Sequence, residues 1–321
     1  MSHLQELTDI ISVSGYEKNI SNYIYNEAVK IIGIKNCKQD KIGNVICKWT
    51  SGNKNKKKVI INSHIDEVGF QIYKCNKDKF LFKPLGNIKT WNAFNQFIEF
   101  ENGAIGIIRA NDASKLENFN YDNLYIEVLN GKVTIGDVCT FQNKYFENDD
   151  FIISKSIDNR ISCNIVLELM SKIVLNNFMF NHDLYFTFSV QEETTMRGIR
   201  VLSSTLTPDL ILNLDTSPEN ARSSIKLGDG LAFKISDSIA FTDREYTNDM
   251  IQCAQQNNMQ YQLEVSDCGT NELIISNQED YGSVNIGISI PCIEMHTSKT
   301  QTAKKDINDI GDLIISYMSE L

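Results

Sequence analysis

The sequence predicts an α/β protein: a central mixed β-sheet flanked by helices, interrupted by an inserted small β-barrel-like domain. Three observations predict it. Strand-like and helix-like runs alternate in residues 1–70 and again in 151–321, the pattern of a catalytic-sized α/β domain. Between them, residues 71–150 offer short β-rich pieces separated by Gly, Asn and Asp turns, with no convincing helix. A chain of 321 residues suits one large domain with one smaller one.

Taken in order, Leu4 to Ile32 carries apolar residues at helical spacing, broken near Ser14-Gly15. This predicts a short helix, a turn, and a longer helix from about Glu17. Asn44 to Trp49 and Val59 to Asn62 read as strands. FLFKPLG, QFIEF, AIGIIRA, LYIEVLN and VCTFQ then supply the inserted β-domain. After it, Ile161 to Leu175 reads as an apolar helix, and LYFTFSV (184–190) and LILNL (210–214) as buried strands. Asp249 to Asn257 is helix-like, VNIGISI (284–290) is a strand, and Ile307 to Tyr317 closes the chain as an amphipathic helix.

Composition excludes several classes. There are 31 basic against 41 acidic residues, a formal charge of -10, which disfavours nucleic acid as a partner. The basic cluster Lys54 to Lys58 reads as a solvated turn. The eight cysteines are scattered, with no CxxC pair and no secretory leader before them. They read as reduced, apolar core groups of a cytoplasmic protein. No apolar run reaches the roughly 20 residues of a membrane helix. His3 and His182 read as surface residues.

The chemistry falls at strand ends. His64 follows VIIN, Glu192 and Glu193 follow YFTFSV, Asp215 follows LILNL, His296 comes shortly after GISI, and Asp158 precedes the Ile161 helix. Ligands of open α/β sheets gather beyond the carboxyl ends of the strands, so separate segments deliver these residues to one edge. Plainer readings exist: Asp158 as a helix N-cap, Asp215 as the start of a Thr216-Ser217-Pro218 turn, and the two glutamates as a solvated strand end. Mixed imidazole and carboxylate donors suit zinc, cobalt or manganese. Two histidines and three carboxylates exceed the set of one catalytic zinc and match two metals sharing a bridging carboxylate. Asp66, two residues after His64 on an extended segment, is placed to orient that imidazole. Adjacent glutamates on an extended chain point apart, so one is expected as ligand and the other as general base toward a water between the metals.

At this point the sequence resembles the M42 family of metallo-aminopeptidases, of the glutamyl and tetrahedral aminopeptidase types. LTDIISVSGYE, DKIGNVI, SHIDEVGF, SKSIDNRISC, FSVQEETTMRG, LNLDTSPE, CGTN and SIPCIEMHTS carry the likeness over nearly the whole chain. The resemblance implies a zinc-peptidase-like catalytic domain (1–70 and 151–321) and a dimerisation or lid domain at 71–150. It implies His64 and Asp215 on one metal, Glu193 and His296 on the other, Asp158 bridging, Glu192 as base and Asp66 supporting His64. It further implies removal of N-terminal residues from short peptides, and dimers that build a dodecamer. Family members often have Gly where Thr195 stands, Asp where Asn271 stands and Arg where Ile293 stands. The last two positions are expected near the substrate pocket.

Two other functions meet the same residues. A glycan hydrolase needs two carboxyls facing each other across a sugar at roughly 5 to 9.5 Å, which consecutive glutamates do not offer and which leaves the histidines idle. A non-catalytic assembly paralogue fits the three altered positions but not the complete set of metal donors.

Overall fold

The computed structural model of the chain describes residues 3–50, 56–112, 120–278 and 282–321, the side chains of 276–278 excepted. The first helices are α1 (Leu4–Asp9) and α2 (Lys18–Ile32), followed by strands β1 (Cys37–Gln39), β2 (Val45–Trp49) and β3 (Lys58–His64). The chain then builds six strands, β4 (Gly69–Asn76), β5 (Lys79–Leu85), β6 (Phe97–Phe100), β7 (Ile105–Ala110), β8 (Leu124–Asn130) and β9 (Val138–Phe141). These close into a barrel in the order β4-β5-β8-β7-β6-β9. Phe70, Phe82, Phe100 and Phe141 fill its core, with Phe70 edge-on to both Phe82 and Phe141. One helical turn, α3 (Thr90–Ala93), interrupts a segment whose sequence predicts only strands.

Thereafter come β10 (Phe146–Glu147), β11 (Phe151–Ser154), α4 (Ile157–Leu175), β12 (Asp183–Ser189), α5 (Glu192–Thr195), α6 (Arg197–Leu206), β13 (Leu210–Pro218), β14 (Leu231–Ser236), α7 (Arg244–Gln256), β15 (Tyr261–Val265), α8 (Leu273–Gln278), β16 (Val284–Ile293), β17 (Thr300–Ala303) and α9 (Ile310–Glu320). The large sheet runs β1-β2-β12-β3-β13-β16-β17-β11-β10, with β14 and β15 attached through β16. β3 lies parallel to both β12 and β13, and β13 parallel to β16, while β2 and β17 run antiparallel to their neighbours and β14 runs antiparallel to β16 but parallel to β15. The sheet is mixed, as the alternation of strand and helix runs predicts. Barrel strands begin at Gly69 and end at Phe141, and Phe146 and Glu147 already pair with β11 in the large sheet.

Side-chain alternation sorts the core. Val45, Cys47, Val59, Ile61, Leu210, Leu212 and Leu214 point to the face covered by α4 and α9. Ile46, Ile60 and Ile211, between them in sequence, point to the opposite face under Ile199 and Leu202 of α6 and Leu273 of α8. With both faces covered, the central parallel strands read as continuous apolar runs.

Several expectations are corrected. His182 is buried, 4% exposed, with its ring stacked on Phe180. Of the cysteines, all free, Cys75 is exposed and Cys268 half-buried, and the other six are in the core. The Lys54 to Lys58 cluster is a solvated turn at most in part. Lys54 and Asn55 lie outside the described residues, Lys56 donates to Phe180 O, and Lys58 opens β3. No helix among the described residues is long and apolar enough to cross a membrane.

Candidate metal centre

β3, β12, β13 and β16 lie side by side, and their carboxyl ends open on one edge of the sheet. His64 is the last residue of β3. Asp158 sits where α4 begins, with backbone angles outside the helical region. Asp215 lies within β13, which runs on through Thr216 and Ser217 to Pro218; this is a strand and not the turn that the plainer reading proposes. His296 follows β16 in the left-handed region, at φ 59°.

These segments meet at Asp158. One of its oxygens lies 3.2 Å from His64 Nε2 and the other 3.1 Å from His296 Nε2. His64 Nε2 is also 3.4 Å from Asp215 Oδ1, and His296 Nε2 is 3.3 Å from Glu193 Oε2. Two compact groups result, His64–Asp158–Asp215 and Asp158–Glu193–His296, each with its donor atoms within 4.8 Å of one another. Glu192 belongs to neither group. Its Oε2 lies 3.9 Å from His64 Nε2, beside the first group.

The glutamates do not sit on an extended chain as their neighbours in sequence imply. Gln191 turns left-handed (φ 58°), and Glu192 and Glu193 form the first turn of α5. Their separation of direction comes from the helical turn, which sends Glu193 into the second group and leaves Glu192 beside the first.

Supporting contacts fix the donors. His296 Nδ1–H donates to the carbonyl of Asn87 at 2.8 Å, which turns Nε2 toward Asp158 and Glu193 as the nitrogen a metal would take. Asn87 belongs to the barrel side of the chain, and nothing in the sequence marks it. Asp66 Oδ1 lies 3.3 Å from His64 Nδ1 without hydrogen-bond alignment, and that nitrogen is buried with no hydrogen-bond partner. Asp66 also accepts the backbone N–H of Glu192 and of Glu193, both at 3.0 Å.

The electrostatics are those of buried carboxylates crowded around two imidazoles. Burial pushes the carboxyls of Glu192, Glu193 and Asp215 above the ordinary range, and neighbouring carboxylates add to the push. Burial acts the same way on Asp158, but its hydrogen bonds to His296 and His64 win and hold it below that range. Burial disfavours charge on both histidines, yet the surrounding carboxylates, Glu192 foremost for His64 and Glu193 for His296, raise them well above normal. Glu193 Oε1 is buried without a partner. So many carboxylates around two imidazoles form an incomplete set that divalent cations would complete, and the donors fit them.

Beneath lies one more buried carboxylate that sequence reasoning missed. Glu272 accepts from Asn62 Nδ2 at 2.5 Å, and burial raises it to about 7. It stands next to Asn271, with no metal-donor spacing to flag it. In front of the donors opens a cavity of about 1040 Å³ lined by both groups, by Thr195, Lys234 and Asn271, and by Asn87 and Trp91 from the barrel side. Ile293, expected at that pocket, pairs with Gln301 between β16 and β17 and is not among the residues lining the cavity.

Known proteins share this arrangement of chain. Residues 43–313 match the family described as M42 glutamyl aminopeptidase. A relative in Acetivibrio thermocellus is 28% identical over 331 residues, spanning 97% of this chain and 96% of its own. The glutamyl aminopeptidase of Lactococcus lactis subsp. cremoris is 25% identical over 266 residues, 73% of this chain and 72% of that one. Among solved structures, the Pyrococcus horikoshii TET1 peptidase, which can assemble into a tetrahedron or a large octahedral shell, superposes with a TM-score of 0.86 at 22% identity, covering 100% of this chain and 99% of its own.

Proposed function

The chain belongs to the M42 family of aminopeptidases, and we propose that it is a two-metal member that removes N-terminal residues from short peptides, with Glu192 as general base. One observation carries the two-metal reading: Asp158 presents one oxygen to each of two imidazole–carboxylate groups. His64 and Asp215 would hold one ion, Glu193 and His296 the other, and Asp158 both, with zinc or cobalt the best match to these donors and manganese next. Bound there, divalent cations supply Lewis acidity toward a peptide carbonyl and make an attacking water more acidic.

The residues of the chain do the rest. Glu192 lies beside the first group without joining it, so its carboxylate is free to take a proton from water and return it to the leaving amine. A general base and a ligand delivered by consecutive residues of one helical turn keep a fixed relation to each other. Asp66 holds that turn through two amides. The glycan reading finds no support here: both histidines converge with the carboxylates, and the glutamates share one turn.

We further assign the barrel, which contributes Asn87 to His296, as the dimerisation and lid unit, and a dodecamer as the assembled form. We also propose a cytoplasmic location, which eight free cysteines suit. Release of amino acids from unblocked peptides, with and without a chelator, tests the proposal. Turnover by chelator-sensitive protein supports it; equal turnover by metal-free protein would refute it.

A further inference from the structure

Two sequence motifs near the N-terminus, SVSGYE and DKIGN, carry no metal donor, yet both reach the catalytic turn. Four consecutive amides, those of residues 190 to 193, leave the end of β12 and each finds a side-chain oxygen at 3.0 Å. Val190 N–H donates to Asn44 Oδ1, Gln191 N–H to Glu17 Oε1, and Glu192 and Glu193 N–H to the two oxygens of Asp66. Ser14 Oγ adds a contact of 2.8 Å to the hydroxyl of Thr194. The geometry points to Glu17 and Asn44 as positioning residues that, together with Asp66, set the direction of Glu192 and Glu193.

Each clamp is itself held. Glu17 is 5% exposed, and the same Oε1 accepts Gly15 N–H at 2.7 Å, tying it to the SG turn. Asn44 is fully buried; its Nδ2 donates to Asp40 Oδ2 and to Gly198 O. Asp40 also receives the amides of Ile42, Gly43 and Asn44, so the β1–β2 hairpin loop is a rigid arm. Gly198 comes so near that a Cβ there would meet Asn44 Oδ1 at 2.7 Å and Val190 N at 2.4 Å. The clamped turn needs such restraint, because Gln191 and Met196 on either side of α5 are both non-glycine residues in the left-handed region. Misdirected carboxylates lose catalysis steeply, since reacting groups tolerate displacements of only about an ångström.

This rests on the proposed aminopeptidase reading, and hydrogen exchange separates the two because it needs no substrate. In the wild-type full chain, the amides of 190 to 193 should exchange as slowly as those of β12, although they lie beyond the strand. Glu17→Ala should speed exchange over 188–196 by roughly tenfold, the loss of one buried side-chain hydrogen bond, and leave β3 and β13 unchanged. On peptide substrate its kcat should fall roughly tenfold with KM nearly constant, because proton transfer and not binding is misaligned. Glu17→Gln, whose amide oxygen accepts the same bond, should restore both. Asn44→Ala should show the same exchange pattern should Glu17→Ala not fold. Fast wild-type exchange at 190–193, or a Glu17→Gln variant as impaired as Glu17→Ala, would overturn the inference. Wild-type protein without peptidase turnover but with the slow amides would overturn the activity and leave the clamp.

Discussion

Asp158 touches both histidines, and its neighbours Glu193 and Asp215 complete one group each. Glu192 is the only carboxylate of the α5 turn outside these groups, which makes its role separable from metal retention. Glu192→Gln should cut kcat by roughly 10²- to 10⁴-fold, the range for loss of a general base, while metal content by elemental analysis stays at the wild-type level. Retained turnover would remove it as base. Away from the site, His182 gives a pH prediction. Burial holds it near 4 in the folded chain, against 6.5 when unfolded. The unfolded state therefore binds more protons between those values, so folded stability falls as pH drops through that window and rises as pH climbs back. His182→Phe keeps the stack on Phe180 without that liability. Relative to the variant, wild type should lose about 1 to 3 kcal/mol between neutral pH and pH 4 in urea unfolding. A pH-independent difference would show that His182 takes up its proton without opening the fold. At this scale the proposed metal donors were legible because apolar strand runs that give way to His, Asp or Glu stand out in the sequence. Asn87, Glu17 and Asn44 were not: Asn87 acts through its own carbonyl, Glu17 and Asn44 act on backbone amides far away in sequence, and backbone partners leave no mark on composition.

Elements carry the donors only if the segments between them are fixed. Glu67, directly after Asp66, is buried between Lys155 and Arg160: Lys155 Nζ donates to both its oxygens at 2.8 and 2.7 Å, and Arg160 Nη2 stands 3.7 Å away. This joins the crossing from β3 into the barrel to the start of α4, where Asp158 sits. Lys155→Met leaves a buried carboxylate short of its main partner and should cost about 3 to 5 kcal/mol, whereas Glu67→Gln with Lys155→Met should recover much of that. Denaturant unfolding of the single and double variants checks it; an undiminished double-variant loss would contradict the ion-pair account. Gly198→Ala tests α6 in the same way. Its Cβ would strike Val190 N at 2.4 Å and Val190 O at 2.5 Å, so about 1 to 3 kcal/mol of stability should be lost. A neutral result would mean that α6 shifts freely against β12. Element types were readable from period and length for the long runs, such as Ile161 to Leu175 within α4. The short α5 was not, because four residues carry no period and its left-handed flanks at Gln191 and Met196 are set by tertiary contacts.

Over the whole molecule, the barrel core and the large-sheet core are separate clusters, yet polar segments of both units line one cavity. The division into an α/β unit and an inserted β-unit was visible in the sequence because the two differ in hydrophobic period. The convergence of Asn87 on His296 was not, because register between separate segments is decided by packing. Assembly is tested by light scattering: the proposed dodecamer predicts a mass near twelve times the 36.5 kDa chain, and a monomer at working concentration would contradict it. The central claim is that one aspartate serves two metal ions. Elemental analysis of chain purified with zinc, cobalt or manganese tests it most directly. Wild type should retain about two ions per chain, His64→Ala and His296→Ala about one each, and Asp158→Asn close to none, as expected when a bridging carboxylate is lost. Asp158→Asn protein that keeps one ion as firmly as the histidine variants do would contradict it.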